Sequence, residues 1–240
     1  MNNISKVDLE LLEKKYQGES LDIALNKVKE GYPVQYLIGN VNFCGNIINV
    51  NENVLIPRYE TEFLVELVLK SIPENFKGNI LDIGTGSGCI SISIAKKLKN
   101  AKVVGIDISK KALEVATSNK ELNSSNNVEF KNIDLFNMHN FNNFEIIISN
   151  PPYVSYNEEV GKETKFEPQN AIFAENNGLV FYEEIIKKAS LSNNIKHIFF
   201  EIGMNQAKDI NAIKDKYLPN YKIEIHKDLA GKDRYIHIFE

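Results

Sequence analysis

Three alternating glycines follow an apolar run in the segment LDIGTGSGCIS, residues 81–91. Gly84, Gly86 and Gly88 permit a tight backbone turn and let a ligand approach without meeting a Cβ atom. About 20 residues further on, Asp107 ends the next apolar run, VVGIDIS. A carboxylate at this position of an open α/β sheet can accept both hydrogen bonds of a ribose diol. The two features together predict a site for a nucleoside-containing cofactor.

The spacing of the glycines discriminates between cofactors. A dinucleotide fingerprint needs glycine three positions beyond its second glycine, and here that position holds Cys89. The loop instead resembles the Asp-x-Gly-x-Gly-x-Gly loop of methyltransferases that use S-adenosylmethionine, with Asp82 as the leading acid. A glycine-rich turn that serves packing alone is the alternative, and Asp107 at the matching position favours the cofactor.

A third acidic side chain, Asp134, lies in NIDLF just beyond the expected third strand. There it can meet the adenine amino group, with Leu135 and Phe136 packed on the adenine face. An aspartate in a polar loop is often merely solvated, so both interpretations stay open.

The tetrapeptide Asn150-Pro151-Pro152-Tyr153 ends the strand IIIS and is expected across the cofactor pocket from the glycine loop. Each proline keeps the residue before it out of the helical region, so the loop is stiff. Neither proline carries an N–H group, so the loop presents carbonyl oxygens, to which Asn150 adds a side-chain amide. A turn without any chemical role is the alternative.

Such an array of acceptors suits a planar NH2 group. Its hydrogens can donate to the Asn150 amide oxygen and the Pro151 carbonyl, while Tyr153 packs on its flat face. Methyl transfer from a sulfonium moves positive charge to the attacking nitrogen, so these acceptors stabilise the transition state more than the ground state. In-line alignment supplies much of the remaining acceleration, and neither a metal nor a covalent nucleophile is required.

Alternating strands and helices must position these residues. From about residue 79 onward we expect β-branched strands at 79–83, 102–107, 128–131, 145–149 and 195–201. Helical stretches separate most of them, which indicates a doubly wound α/β fold around a parallel sheet. At the C-terminus KIEIHKD and RYIHIFE are so close in sequence that only antiparallel pairing is possible.

The chain before residue 79 is predicted to form smaller elements. Residues 1–35 form a helical cap, whose second helix runs from Ser20 to Gly31. Residues 36–60 form a linker with a hairpin over 41–56 that turns at Gly45-Asn46. A helix from Thr61 opens the expected methyltransferase domain, residues 61–240. We interpret ELNSSNNVEF, residues 121–130, as a loop.

Composition narrows the function classes. A net charge of -4 provides no broad cationic field for a nucleic-acid backbone, so no stable nucleic-acid binding is expected. Two cysteines give no disulfide framework, and His139, His197, His226 and His237 lack ligand spacing, so no metal is expected. Without an apolar window of signal-peptide or membrane-spanning length, we expect a cytoplasmic protein that does not associate with membranes.

Many short segments carry a family resemblance over roughly residues 36–240. They are YLIG, NFCG, VLIPRYETEFLVE, LDIGTGSGCISI, GIDIS, NIDLF, ISNPPYV, FEPQNAIF, NGLVFYEEI, EIG with Gln206, and DLAGKDRYI. Together they resemble the glutamine methyltransferases that modify peptide chain release factors, the HemK/PrmC group. The resemblance implies methyl transfer from S-adenosylmethionine to the glutamine side-chain nitrogen of a Gly-Gly-Gln loop, with S-adenosylhomocysteine as product.

The resemblance also implies a fold and a set of site residues. The fold is a Rossmann-like class I methyltransferase with a seven-stranded, mostly parallel sheet whose last strand is antiparallel, and an N-terminal helical domain that helps to grip the release factor. The implied cofactor-binding residues are Gly84, Thr85, Gly86, Ser87, Gly88, Asp107, Asp134, Leu135 and Asn150. The implied catalytic, glutamine-binding residues are Asn150, Pro151, Pro152 and Tyr153.

This chain departs from the family pattern twice. Tyr59 stands where the family segment Pro-Arg-Pro-Glu-Thr-Glu has its second proline, so the entry loop can differ. The helical cap of about 35 residues is roughly half the expected length, which concerns substrate docking more than chemistry.

Several other functions share parts of this sequence pattern. A DNA adenine methyltransferase would need a target-recognition domain, and the chain after Tyr153 is needed to finish the sheet. An RNA guanine methyltransferase and a ribosomal-protein glutamine methyltransferase stay open. Cys89 and the lack of a proton donor near the pocket disfavour a nicotinamide-dependent oxidoreductase. A module that binds S-adenosylmethionine without turnover is the non-enzyme alternative.

Overall fold

The computed structural model describes residues 4–240; residues 1–3 of the predicted cap lie outside it. Its strands are β1 Asn40–Phe43, β2 Asn46–Asn49, β3 Asn79–Ile83, β4 Lys102–Asp107, β5 Val128–Asn132, β6 Ile146–Ser149, β7 Val154–Ser155, β8 Phe173–Ala174, β9 His197–Glu201, β10 Lys222–Lys227 and β11 Asp233–Phe239. Its α-helices are α1 Lys6–Lys15, α2 Glu19–Lys29, α3 Val34–Ile38, α4 Tyr59–Ser71, α5 Cys89–Lys97, α6 Lys110–Leu122, α7 Val180–Ser190 and α8 Ala207–Tyr217.

A seven-stranded sheet in the order β10-β11-β9-β6-β3-β4-β5 forms the centre of the protein. Strands β9, β6, β3, β4 and β5 pair in parallel, whereas β11 runs antiparallel to both β10 and β9. The predicted class, a seven-stranded and mostly parallel α/β sheet with its last strand antiparallel, is confirmed. The bounds of the five strands predicted first agree with the structure to within about two residues, the usual uncertainty of strand ends.

Both faces of this sheet are covered by helices, which explains the continuous apolar runs in its strands. In β6, Ile146 and Ile148 pack into one core cluster and Ile147 into the other. The neighbouring β3 alternates in the same way, with Ile80 in the first cluster and Leu81 in the second. The run IIIS is therefore fixed from both sides, and the tetrapeptide that follows leaves the sheet at a defined point.

The N-terminal hairpin differs from the prediction. Strands β1 and β2 pair in register from Asn40 with Asn49 to Phe43 with Asn46, so the turn is Cys44-Gly45 rather than Gly45-Asn46. Both turn residues have positive φ, +50° and +74°, as a two-residue turn of type I′ requires. Residues 50–56 are not a strand, because the chain turns at Asn51, whose carbonyl accepts from the Val54 N–H over 3.1 Å; the Tyr36 hydroxyl also donates to the Val54 carbonyl over 2.6 Å.

Two further boundaries were predicted wrongly. Helix α4 begins at Tyr59 instead of Thr61, directly after Pro57 and Arg58. In ELNSSNNVEF only residues 123–127 form a loop, because α6 continues to Leu122 and β5 starts at Val128.

Helices α1 to α3 share a small core of their own, which contains Leu12, Ala24, Val28 and Leu37. Within residues 4–240, no helix combines the length and apolar character needed to cross a membrane.

Candidate active site at the ends of the central strands

A cavity of about 310 Å³ opens where β3, β4 and β6 end. The chain passes from β3 to β4 and β5 on one side, and β6 lies on the other, so the cavity is at the reversal of strand order where α/β sheets bind ligands. Of the predicted site residues, the structure brings together at this cavity Gly84, Gly86, Asp107, Asp134, Leu135, Asn150, Pro151 and Pro152. Thr85, Ser87, Gly88 and Tyr153 do not line it.

The glycine loop is open toward the cavity at two of its three glycines. Gly84 and Gly86 have φ of +72° and +54°, and a Cβ added to Gly84 would meet no atom within 4 Å. Gly88 has a different task, since a Cβ there would overlap the Phe130 ring at 2.7 Å and touch Ala116. Its lack of a side chain allows α5 to pack closely on the sheet and on α6. The first two glycines thus leave a space that a ligand can enter.

Thr85 and Ser87 are buried beneath this loop. The Thr85 and Ser91 hydroxyls each donate to Asp82 Oδ2 over 2.6 Å. Asp82 Oδ1 has no hydrogen-bond partner among residues 4–240, and burial raises the pKa of this carboxyl to about 6 despite the two hydroxyl donors. Asp82 therefore stabilises the glycine loop through buried hydrogen bonds on the side away from the cavity.

Asp107 lies at the end of β4 with one donor on each oxygen. The Gly86 backbone N–H donates to Oδ2 over 2.9 Å, and the Ser109 N–H donates to Oδ1 over 2.8 Å. Burial raises the pKa of the carboxyl, and these backbone donors oppose the shift. Each oxygen keeps a lone pair for a further donor, so the carboxylate fits a ribose diol.

The predicted adenine wall is made by more than one segment. Asp134 is also a structural cap, because its Oδ1 accepts from the Phe136 N–H over 2.9 Å at the start of a short 3-10 turn. Leu135 is buried, and the Phe136 ring lies 5.5 Å from the ring of Phe181 in α7. Phe181 also lines the cavity; it lies in the segment NGLVFYEEI, but the sequence pattern did not predict a place for it at this site. Together with the open glycines and Asp107, these apolar walls fit a nucleoside.

At the end of β6, the Asn150 Nδ2 group donates to Thr61 Oγ1 of α4 over 3.1 Å. This leaves Oδ1 of Asn150 without a hydrogen bond to any residue of the described chain, in a side chain that lines the cavity. Pro151 and Pro152 line the cavity beside it. Three of the four tetrapeptide residues, Asn150, Pro151 and Pro152, therefore lie on the cavity wall.

Tyr153 turns away from this cavity. Its ring packs against the core cluster beneath α7, and its hydroxyl donates to Glu201 Oε1 over 3.3 Å. Its backbone carbonyl accepts from Gln206 Nε2 over 3.0 Å. Gln206 and the EIG segment belong to the family pattern of the sequence, but the pattern did not predict that Gln206 contacts the tetrapeptide.

Two segments on the remaining side of the cavity are joined by Glu167. The cavity is lined there by residues 53–55 and by residues between 168 and 171. The fully buried Glu167 carboxylate accepts from the Ile56 N–H over 3.0 Å through Oε2 and pairs with Arg58 through Oε1. A buried charge that is paired and hydrogen-bonded in this way is costly to disturb, so the pair fixes this wall. It also gives the segments PRYETE and FEPQNAIF a common structural role.

The residues of the described chain offer no group of three or more His, Cys, Asp or Glu side chains that could hold a metal ion. The four histidines are not all scattered, however. His197 Nδ1 and His237 Nε2 lie 3.0 Å apart on the neighbouring strands β9 and β11, away from the cavity.

Comparison with known proteins agrees with this architecture. A family model described as "Methyltransferase small domain" matches residues 60–176. Two solved structures show the same fold. The methyltransferase from Pyrococcus furiosus has a TM-score of 0.58 and 22% identity, with coverage of 81% of this chain and 88% of that one. The hMettl16 catalytic domain in complex with MAT2A 3′UTR hairpin 1 has a TM-score of 0.64 and 14% identity, with coverage of 97% of this chain and 91% of that one.

Much higher identity links the chain to proteins named release factor glutamine methyltransferase. The one from Lactococcus lactis is 40% identical over 240 residues, which cover 96% of this chain and 87% of the relative. The one from Fusobacterium nucleatum is 42% identical over 216 residues, which cover 88% of this chain and 60% of the relative. The chain thus spans less than two thirds of the Fusobacterium protein and most of the Lactococcus protein. The chain belongs to the release factor glutamine methyltransferase family.

Proposed function

We propose that the protein transfers a methyl group from S-adenosylmethionine to the side-chain amide nitrogen of the glutamine in the Gly-Gly-Gln loop of peptide chain release factors. The observation that carries the proposal is the Asn150 amide on the cavity wall, whose NH2 group is occupied by Thr61 and whose oxygen is left to accept. An acceptor oriented in this way recognises an NH2 group such as that of glutamine. Family membership supports the same substrate.

The cavity fits the cofactor through its own residues. Asp107 would hold the ribose hydroxyls, Gly84 and Gly86 would let the cofactor approach the backbone, and Asp134 with Leu135 would border the adenine. When bound, S-adenosylmethionine supplies an electrophilic methyl group on a sulfonium. Thr85, Ser87 and Gly88 would act by holding the loop, since they do not reach the cavity.

The tetrapeptide would orient the glutamine nitrogen. Its two hydrogens would donate to Asn150 Oδ1 and to the Pro151 carbonyl, with Pro152 and Tyr153 fixing the loop. A nitrogen–carbon bond forms as the sulfur–carbon bond breaks, and the nitrogen then releases one proton to solvent. Because positive charge develops on the nitrogen, both acceptors bind the transition state better than the ground state. S-adenosylhomocysteine and an N-methylated glutamine are the products.

We assign a role to each of three parts of the chain. Residues 1–35 would form a cap that docks the release factor, residues 36–60 a hairpin linker, and residues 61–240 the methyltransferase domain. Because release factors act in translation termination, we expect the protein to work in the cytoplasm, without stable nucleic-acid or membrane binding.

The experiment uses S-adenosylmethionine labelled on its methyl group. The protein is incubated with purified release factor that is either intact or carries alanine in place of the loop glutamine, and, in parallel, with ribosomal proteins, DNA and RNA. Label is expected on the intact release factor alone. Label on both release factors, or on neither, contradicts the proposal, and label on a ribosomal protein or on nucleic acid would favour one of the other planar amino groups.

A further inference from the structure

A chain of hydrogen bonds leads from the tetrapeptide to two residues that do not line the cavity. Asn150 Nδ2 donates to Thr61 Oγ1 over 3.1 Å, and Thr61 Oγ1 donates to Glu201 Oε2 over 2.8 Å. The second oxygen of the same carboxylate accepts from the Tyr153 hydroxyl over 3.3 Å. One buried carboxylate at the end of β9 is therefore connected to both ends of the tetrapeptide.

The direction of these bonds fixes the orientation of the Asn150 amide. A threonine hydroxyl has a single hydrogen, and an ionised carboxylate can only accept. Thr61 must therefore give its hydrogen to Glu201, and it can only accept from Asn150. The NH2 end of the amide is thus held toward Thr61, and Oδ1 is held on the opposite side.

Glu201 is almost completely buried, and the charged and titratable groups around it come from four elements. Arg234 on β11 lowers the pKa of its carboxyl and Glu60 on α4 raises it, while the Thr61 and Tyr153 hydroxyls donate to it. Tyr182 on α7 donates to the Glu201 backbone carbonyl over 2.8 Å, and burial together with Glu201 raises the pKa of Tyr235 on β11. Burial is the largest influence and raises the pKa of Glu201 to about 7. A protonated carboxyl could donate to Thr61, which would release the constraint on the amide.

We infer that Thr61 and Glu201 are positioning residues for the methyl transfer, which act through Asn150 and Tyr153 by holding the amide oxygen toward the substrate nitrogen. This inference rests on the proposed function for its catalytic meaning. The hydrogen-bond relay itself can be tested with or without turnover.

The first experiment separates positioning from binding. Thr61→Val keeps the shape of the side chain and removes its hydroxyl, so kcat should fall about 10- to 100-fold. This range ends where the effect of losing one preorganised transition-state partner begins, because Asn150 itself is still present. The dissociation constant for S-adenosylmethionine should change less than about threefold, because neither Thr61 nor Glu201 lines the cavity. Thr61→Ser should recover most of the lost kcat. The matched control is Thr117→Val, an exposed threonine on α6 that lies outside the site.

The second experiment uses pH. If the ionised Glu201 is required, kcat of the wild type is high above its pKa and falls as the pH is lowered through about 7. Glu201→Gln has no titrating group there, so its reduced kcat should lack this acidic limb. A Thr61→Val enzyme with kcat within twofold of the wild type, or an acidic limb that persists in Glu201→Gln, would overturn the inference.

The third experiment does not depend on the substrate. The side-chain NH2 resonance of Asn150, assigned by its loss in Asn150→Ala, should shift with a midpoint near pH 7 in the wild type. The shift should be absent in Thr61→Val and Glu201→Gln. If the chemical shift of the Asn150 NH2 group does not change with pH in the wild type, the hydrogen-bond relay is contradicted. A wild type that shows the shift but does not methylate the release factor contradicts the proposed function instead.

Discussion

The backbone N–H of Gly86 donates a hydrogen bond to Asp107 Oδ2 across 2.9 Å, which joins the glycine loop to the carboxylate at the end of β4. The N–H groups of Gly84 and Thr85 both donate to the Ile106 carbonyl, over 2.9 and 3.0 Å. The loop and the carboxylate therefore form one rigid unit. A change in the carboxylate should therefore disturb the loop as well as the group proposed to hold the ribose.

Asp107→Asn tests this unit. The substitution replaces one accepting oxygen by an NH2 group that faces a backbone N–H, and it removes the charge. Because hydrogen bonds to charged groups contribute about 1.5–3 kcal/mol, affinity for S-adenosylmethionine should fall about 10- to 100-fold in isothermal titration calorimetry. Asp209→Asn, in the exposed first turn of α8, is the control. Equal affinity of the two variants would mean that Asp107 does not hold the cofactor.

The effect of Asn150→Ala should appear in turnover. This substitution removes the oriented acceptor, so kcat should fall about 100- to 1000-fold, as expected for loss of one preorganised transition-state partner. Single-turnover kinetics with release factor provide the measurement, and Asn220→Ala, an exposed residue before β10, is the control. An unchanged rate would remove Asn150 from catalysis.

Gly178 should be needed for the shape of the tetrapeptide. It has a φ of +80°, and a Cβ at this position would overlap both the Tyr153 carbonyl and the Gln206 side chain. Gly231 has nearly the same φ, +76°, but a Cβ there would meet nothing within 4 Å. Gly231→Ala should lose about 1–2 kcal/mol of unfolding free energy from the left-handed backbone, and Gly178→Ala should lose more because the Tyr153 backbone must also shift. Only Gly178→Ala should also lose kcat, by tenfold or more, because it displaces Tyr153. Equal kcat in both variants would contradict this role.

The sequence predicted those parts of the site that depend on local spacing. The glycine loop and the tetrapeptide each follow a strand directly and Asp107 ends one, so their meeting at one end of the sheet follows from the parallel topology. The partners that hold these residues could not be predicted in this way. Thr61 lies 140 positions from Glu201 in the chain, and their contact depends on how α4 crosses the sheet.

Other features were hidden for similar physical reasons. Phe181 reaches the cavity because α7 belongs to the crossover connection between the parallel strands β6 and β9. The antiparallel register of β9 and β11 brings His197 and His237 together. The Cys44-Gly45 turn was missed because a cysteine with positive φ is uncommon. In the loop beneath the cofactor cavity, Ser87 and Thr85 matched the motif, but only the structure shows that they are buried.

The pH dependence of stability should reveal Asp82. Burial raises its pKa from 3.8 to about 6 in the folded protein, so its neutral form is favoured there. A carboxyl with a raised pKa contributes stability that is complete below the unfolded value and is lost as the pH rises through the folded value. The free energy of unfolding of the wild type should therefore fall, relative to Asp82→Asn, by about 1.4 kcal/mol per pH unit between about pH 4 and 6, and by about 3 kcal/mol in all.

Urea unfolding of both proteins between pH 4 and 8 measures this difference, which should be constant above about pH 7. The amide oxygen introduced by Asp82→Asn can still accept from Thr85 and Ser91, so the variant keeps the two hydroxyl bonds and lacks only the titration. Asp209→Asn serves again as the exposed control, which accounts for the general effect of replacing a carboxylate by an amide. If the difference between the wild type and Asp82→Asn is the same at pH 4.5 and pH 7, the Asp82 carboxyl does not titrate in this range.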